Sequence, residues 1–253
     1  MKATGILWLP LSFLNFIERR YDTMTAQKQS ALQTIEEKKS LIVGIADKVW
    51  EFAELSLQEF KSAETYCEAL EKEGFDVERG TCNIETAFAA SYGHGRPYIG
   101  ILAEYDALSG LSQEGGLIER KEKNAGGNGH GCGHNLLGAG AFGIKAYLEQ
   151  NDVSGTVILY GCPGEEGGAA KAFMARDGLW KKLDAALTWH PEDVNEVATG
   201  SSNSCIQTQY KFTGIASHAA GAPEKGRSAL DAVELMNIGV QFLREHMSDK
   251  ARI

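Results

Sequence analysis

The chain has 253 residues, a formal net charge of −9, 43% hydrophobic and 23% charged residues. That is the balance of a soluble globular protein with room for one large domain or a domain and a half. The acidic surplus excludes nucleic acid as a partner, because phosphate backbones need basic surfaces. The five cysteines, Cys67, Cys82, Cys132, Cys162 and Cys205, are odd in number and widely spaced. They form no disulfide framework and suit a reducing cytoplasm.

In chain order, the apolar stretch Ile6–Ile17 (ILWLPLSFLNFI) comes first. It is far too short to span a bilayer. Pro10 interrupts it, Lys2 alone precedes it, and no small-residue cleavage site follows, so a signal peptide is not indicated. Met24 is the expected start, with residues 1–23 an upstream extension. From Thr25, Leu32, Ile35, Leu41, Ile42, Ile45, Val49, Phe52 and Leu55 recur at helical spacing and predict a long helix with one or two breaks. A second helix is expected over Ser62–Glu73, ending at Gly74. FDVERG and TAFAASYG read as short strands, and Tyr98–Leu108 begins as the near-continuous apolar run of a buried strand. Ser109–Gly133 is a long glycine-rich loop of the kind that carries function or is disordered.

A helix is expected over LLGAGAFGIKAYLEQ, a buried strand over Gly155–Pro163, a helix over AAKAFMARDGLW, and a third strand-like run over LDAALTWHP. Strands alternating with helices predict an α/β fold with a mainly parallel sheet flanked by helices, over residues 24–197. The pattern then changes. CIQTQYKFTGI alternates like a half-exposed strand. Leu230, Val233, Met236, Val240, Leu243 and Met247 fall on one stripe of an amphipathic helix. Residues 198–253 therefore read as the start of a second, incomplete domain, since one strand and one helix cannot bury their faces alone.

In open α/β sheets, ligands bind beyond the carboxyl ends of the strands. Glu104 and Asp106 follow the first buried strand, Cys132 and His134 precede the next helix, Glu165 and Glu166 follow the second strand, and His190 ends the third. Cys132 and His134 are good donors for zinc-like ions. The intervening glycine lets both face one point, and the helix start that follows favours the thiolate. The alternative is a glycine loop with incidental polar residues. In the Glu165–Glu166 pair one carboxylate can bind metal while the other handles protons; a solvated acidic turn is the plainer reading. His190 is a candidate second imidazole donor or merely a hydrogen-bonded residue. Asp106 is placed to orient a donor imidazole, Glu104 to do the same or to sit in a salt bridge. His218 either reaches substrate or caps local structure. His130 reads as loop, His94 and His246 as surface, and the remaining cysteines as packed thiols.

Four ordered motifs, GHGCGHN, GCPGEEGGA, LTWHP and GIASHAAGAPEKGRSALDA, together resemble the M20 metallopeptidases, and among them the amidohydrolases of N-acyl amino acids. The resemblance runs from about Met24 to the end. It implies a zinc-peptidase-like catalytic α/β domain with two divalent metal ions (zinc or manganese), and an inserted α+β lid and dimerisation domain. It implies Cys132, His134, Glu166 and His190 as metal ligands, Glu165 as general base, Asp106 as a supporting residue and His218 as a lid residue steadying the oxyanion. The implied substrate is an N-acyl amino acid such as p-aminobenzoyl-glutamate, or a dipeptide. The implied partner is a second copy or a related subunit, with neither nucleic acid nor membrane. Two departures stand out. Glu104-Tyr105-Asp106 replaces the His-x-Asp of the simple peptidases. The last histidine ligand and the residues gripping a substrate carboxylate are expected beyond residue 253, which makes the chain an N-terminal part of a longer protein.

Overall fold

The computed structural model describes residues 25–150, 154–197 and 200–253. The expected N-terminal extension, residues 1–23, lies outside the described residues. The rest falls into two compact units that divide between Asp193 and Val194.

The first unit opens with helix α1, Ala26–Phe52. Thr25 caps it by accepting from the Lys28 amide at 3.3 Å. The helix is continuous, without the expected breaks. Gly44 stands on it with no neighbour within 4 Å of a would-be Cβ, so its cost is limited to propensity, about 1 kcal/mol. Helix α2, Phe60–Lys72, packs on α1 and buries Tyr66, Cys67 and Leu70. Five strands follow: β1 (Asp76–Arg79), β2 (Phe88–His94), β3 (Tyr98–Ala103), β4 (Gly155–Gly161) and β5 (Ala185–Leu187). Helix α3, Phe142–Gln150, precedes β4, and helix α4, Ala170–Arg176, follows it. The helix expected from Leu136 starts later, after two 3-10 turns over His134–Leu136 and Gly138–Ala141.

The sheet order is β1-β2-β4-β3-β5. The pairs β4–β3 and β3–β5 are parallel, whereas β1–β2 and β2–β4 are antiparallel. The sheet is therefore mixed, and its parallel half carries the motif-bearing loops. All seven residues of β4 are buried, as its unbroken apolar run requires. Alternation sends Val157 and Leu159 into one core with Tyr66, Leu70, Phe88, Ile101, Tyr105 and Phe142. Ile158 and Tyr160 go into the other, with Cys162 and Met174. Helices thus cover both faces. The parallel register places Ala103 opposite Gly161 and Ile101 opposite Leu187, so the loops after β3, β4 and β5 emerge along one edge.

The second unit, Val194–Ile253, contains helix α5, Ala229–Leu243, capped by Ser228. The strand expected over CIQTQYKFTGI is not formed: no strand is assigned there, and Ile215 alone pairs, in an isolated bridge with Arg227. Alternation marks a sequence able to make a strand, but a strand needs a partner backbone. No strand of this unit supplies one among the described residues. Cys205, expected to be packed, is exposed for the same reason.

Candidate metal centre

Four loops meet at the carboxyl edge of the parallel strands. The first leaves β3 as Glu104-Tyr105-Asp106. Tyr105 is buried in the core and donates to the Thr86 carbonyl at 2.6 Å. That anchor points the two acids on either side of it the other way. Asp106 is fully engaged. His134 Nδ1–H donates to its Oδ1 at 2.9 Å, and Ser56 Oγ and the Glu166 amide both donate to its Oδ2 at 2.9 Å. One carboxylate therefore ties its own loop to those of His134 and Glu166.

The second loop brings Cys132 and His134. It is fastened to α1: His130 Nε2–H donates to the Val49 carbonyl at 3.0 Å and its ring lies against Trp50, while Asn135 donates to the Ala46 carbonyl. His130, read from sequence as plain loop, is thus a buried anchor. Between Cys132 and His134, Gly133 has φ +76°, and an added Cβ would meet Pro191 Cγ at 2.7 Å. Only glycine allows the turn and the close approach of the third loop. That loop delivers His190, whose Nε2 lies 3.3 Å from Cys132 Sγ. His190 Nδ1–H donates to the Pro191 carbonyl, which leaves the Nε2 lone pair facing the sulfur. By the same logic Asp106 fixes His134 with its Nε2 lone pair outward.

The Glu165–Glu166 turn completes the group. Gly164 enters it at φ +65°, and its amide donates to the buried Glu59 carboxylate at 2.7 Å. Thr86 donates to the other Glu59 oxygen at 3.0 Å. His134 Nε2 lies 3.1 Å from Glu104 Oε2 and 4.0 Å from both Glu165 Oε2 and Glu166 Oε1. Cys132, His134 and His190 offer donor atoms that all lie within 4.8 Å of one another, and so do Glu104, His134 and Glu165.

The electrostatics call for a cation. Burial and then the charges of Glu104 and Glu166 raise the Glu165 carboxyl. Burial, then Glu166, Glu165 and Glu104, push the Cys132 thiol up to about 11. The thiolate expected from the following helix start is therefore not favoured by the protein alone: a 3-10 turn follows, and nearby carboxylates outweigh it. Burial disfavours a charged His134, yet its bond to Asp106 and the charges of Glu104, Asp106 and Glu166 raise it. For Asp106, burial is likewise outweighed by the bonds from His134, Glu166 and Ser56, and its carboxyl is lowered.

Among the described residues, six buried side-chain polar atoms lack a hydrogen-bond partner. Three of them, His134 Nε2, Glu104 Oε2 and Glu166 Oε1, converge here. Each such atom costs about 1–3 kcal/mol if nothing satisfies it. That cost decides against a merely solvated acidic turn. A sulfur, two imidazoles and several carboxylates are the donor set that a zinc-like divalent ion takes, so these residues fit such a group.

Cys132, His134, Glu165, Glu166, His190 and Asp106 are thus brought together. Glu104, weighed from sequence as an orienting or salt-bridged acid, stands closer to His134 Nε2 than Glu165 or Glu166 does. Lys171 on α4 pairs with its other oxygen. Ser56 and Lys171 carried no sequence signal, since a lone serine and a surface-type lysine look alike everywhere. His218 lies in the second unit, exposed, where its Nδ1 accepts from the amides of Ala220 and Gly221 at 3.2 and 2.9 Å. Its ring is held by its own turn.

No protein-family model matches the chain. Fold and site together point to one class: the chain is similar to the M20 metallopeptidases and amidohydrolases. The dinuclear metal binding M20 peptidase YXEP of Bacillus subtilis has the same fold, with TM-score 0.50 and 22% identity, over 60% of this chain and 42% of that one. The particular relative is a subunit of p-aminobenzoyl-glutamate hydrolase from Escherichia coli K12, 50% identical over 223 residues, which cover 87% of this chain and 46% of that protein. Xaa-Arg dipeptidase of Mus musculus is 28% identical over 89% of this chain and 52% of its own length. The chain spans about half the length of these curated relatives.

Proposed function

We propose that the whole protein is a metal-dependent amidohydrolase that cleaves the amide bond of N-acyl amino acids such as p-aminobenzoyl-glutamate. The observation that carries this reading is the gathering of Cys132 and His190 around His134, with Glu165 and Glu166 each 4.0 Å from His134 Nε2 and buried donor atoms left unsatisfied. The half-identical relative supports the substrate class. Two divalent ions, zinc or manganese, held by Cys132, His134, Glu166 and His190, would polarise the amide carbonyl and acidify a water.

The chain's own residues do the rest. Asp106 holds the His134 ring so that Nε2 stays a donor. Glu165, its side chain 44% exposed, takes the water's proton and returns it to the departing amine. Its raised proton affinity suits both halves of that task. His218 is assigned the steadying of the developing oxyanion, the role the family resemblance implies. Residues 24–197 form the catalytic domain, and 198–253 belong to a lid and dimerisation domain. The partner is a second copy or a related subunit. The exposed Leu230, Val233, Ile238 and Phe242 of α5 support a covered face there. No described helix is long and apolar enough to cross a membrane, and five free cysteines support the cytoplasm.

The experiment is Glu165→Gln with p-aminobenzoyl-glutamate as substrate. Turnover falls by about 10²–10⁴ while bound metal is retained. Full activity in the variant overturns the assignment of the base. A dipeptidase reading has one observation in its favour, the similarity to Xaa-Arg dipeptidase. A panel of N-acyl amino acids and dipeptides separates the two by kcat/KM.

A further inference from the structure

We propose that Glu104 is itself a donor to the second cation, through Oε2, and that Lys171 sets how much charge it offers. This rests on the metal-centre reading above and adds a ligand to it. Glu104 is 8% exposed and His134 is 0% exposed. Their unpartnered atoms, Oε2 and Nε2, face each other at 3.1 Å without hydrogen-bond geometry. With Nδ1–H committed to Asp106, both facing atoms bear lone pairs when the imidazole is neutral. Such a pair needs a positive charge between its atoms, and a metal cation takes the place a proton would otherwise fill.

His134 Nε2 has one lone pair and can hold one ion, yet two donor groups meet on it. Cys132 with His190 marks one ion's place. Glu104 marks the other, with Glu166 as its neighbouring carboxylate and Glu165 beside them as the base. Donors lie about 2.0–2.2 Å from a zinc-like ion at tetrahedral angles, so two of them stand roughly 3.4 Å apart. Glu104 Oε2 and His134 Nε2, 3.1 Å apart, need only a small adjustment of side chains. Lys171 pairs with Oε1 and leaves Oε2 unoccupied by any hydrogen bond. A cation so close weakens a carboxylate's hold on a second cation. Lys171 therefore holds the acid in place and makes the second ion the weaker of the two.

The test is calorimetric titration of the 253-residue chain with Zn²⁺, alongside Glu104→Gln and Lys171→Met. The parent takes up two equivalents. Glu104→Gln loses the second, or binds it at least about tenfold more weakly, with the first unchanged. Lys171→Met binds the second several-fold more tightly. If Glu104→Gln does not fold, the tighter second ion in Lys171→Met carries the proposal and an unchanged one overturns it. Two equivalents at parental affinity in both variants make the pair merely structural and overturn the proposal while the metal centre stands. A parent that takes up one equivalent does the same. A parent that binds no zinc overturns both readings.

Discussion

The centre has two halves built differently. Asp106 and His134 are wholly buried and Glu104 nearly so; Ser56, His134 and the Glu166 amide hold Asp106, Asp106 holds His134, and Lys171 holds Glu104. Cys132 is half-buried and His190 exposed, and their loops meet where Gly133 packs beneath Pro191. The buried half is ready-made and costs nothing to order when an ion or substrate arrives. The exposed half can adjust. A hydrolytic site needs both, one side to fix geometry and another to admit substrate.

The largest effect separating the halves is on stability. Asp106→Ala strands a buried His134 and breaks three hydrogen bonds, and should cost about 3–5 kcal/mol in denaturant unfolding together with ion binding. His190→Ala should change stability by no more than about 0.5 kcal/mol while weakening ion binding about 10–100-fold. Equal stability losses in the two variants would erase the distinction. Next in size is the seam between the halves. Gly133→Ala meets both a positive φ and Pro191, and should destabilise by about 1–3 kcal/mol. It should also lower ion affinity by moving His190 away from Cys132. A variant with parental affinity would mean the two loops do not depend on each other.

The smallest effect is a control remote from the centre. Arg79 on β1 holds Glu64 and Glu71 of α2 in an exposed pair, chiefly by hydrogen bonds that lower both carboxyls. A lowered folded value means the contribution is present above the ordinary Glu value. It is lost as pH falls through the lowered one. Arg79→Met should therefore melt slightly below the parent at neutral pH, and the two curves should converge as pH falls below the ordinary Glu range. Ion binding should be unaffected. A change in ion affinity would show that the sheet edge transmits strain to the centre.

Most of the centre was legible because its chemistry sits at strand ends. β3 and β4 were apolar runs with acids just beyond them, and the loops that carry Cys132, His134 and His190 come to the same edge. Glu104 was underread because an acid at a strand end has the same sequence signature whether it pairs with a lysine or faces an ion. Here it does the first with one oxygen and leaves the other unpaired. The mixed sheet was not legible. An apolar run states that a strand is buried, not which way its neighbours run, and β2 joins β4 antiparallel along a seven-residue ladder. The segment 205–214 was misread for a related reason: alternation supplies a face but not a partner.

The central claim is that a thiolate and an imidazole, Cys132 and His190, share an ion across two loops. Absorption spectroscopy of the Co²⁺-loaded chain tests it most directly. A sulfur-to-cobalt charge-transfer band is expected in the parent, absent in Cys132→Ser and diminished in His190→Ala. A spectrum that Cys132→Ser leaves unchanged would contradict the account.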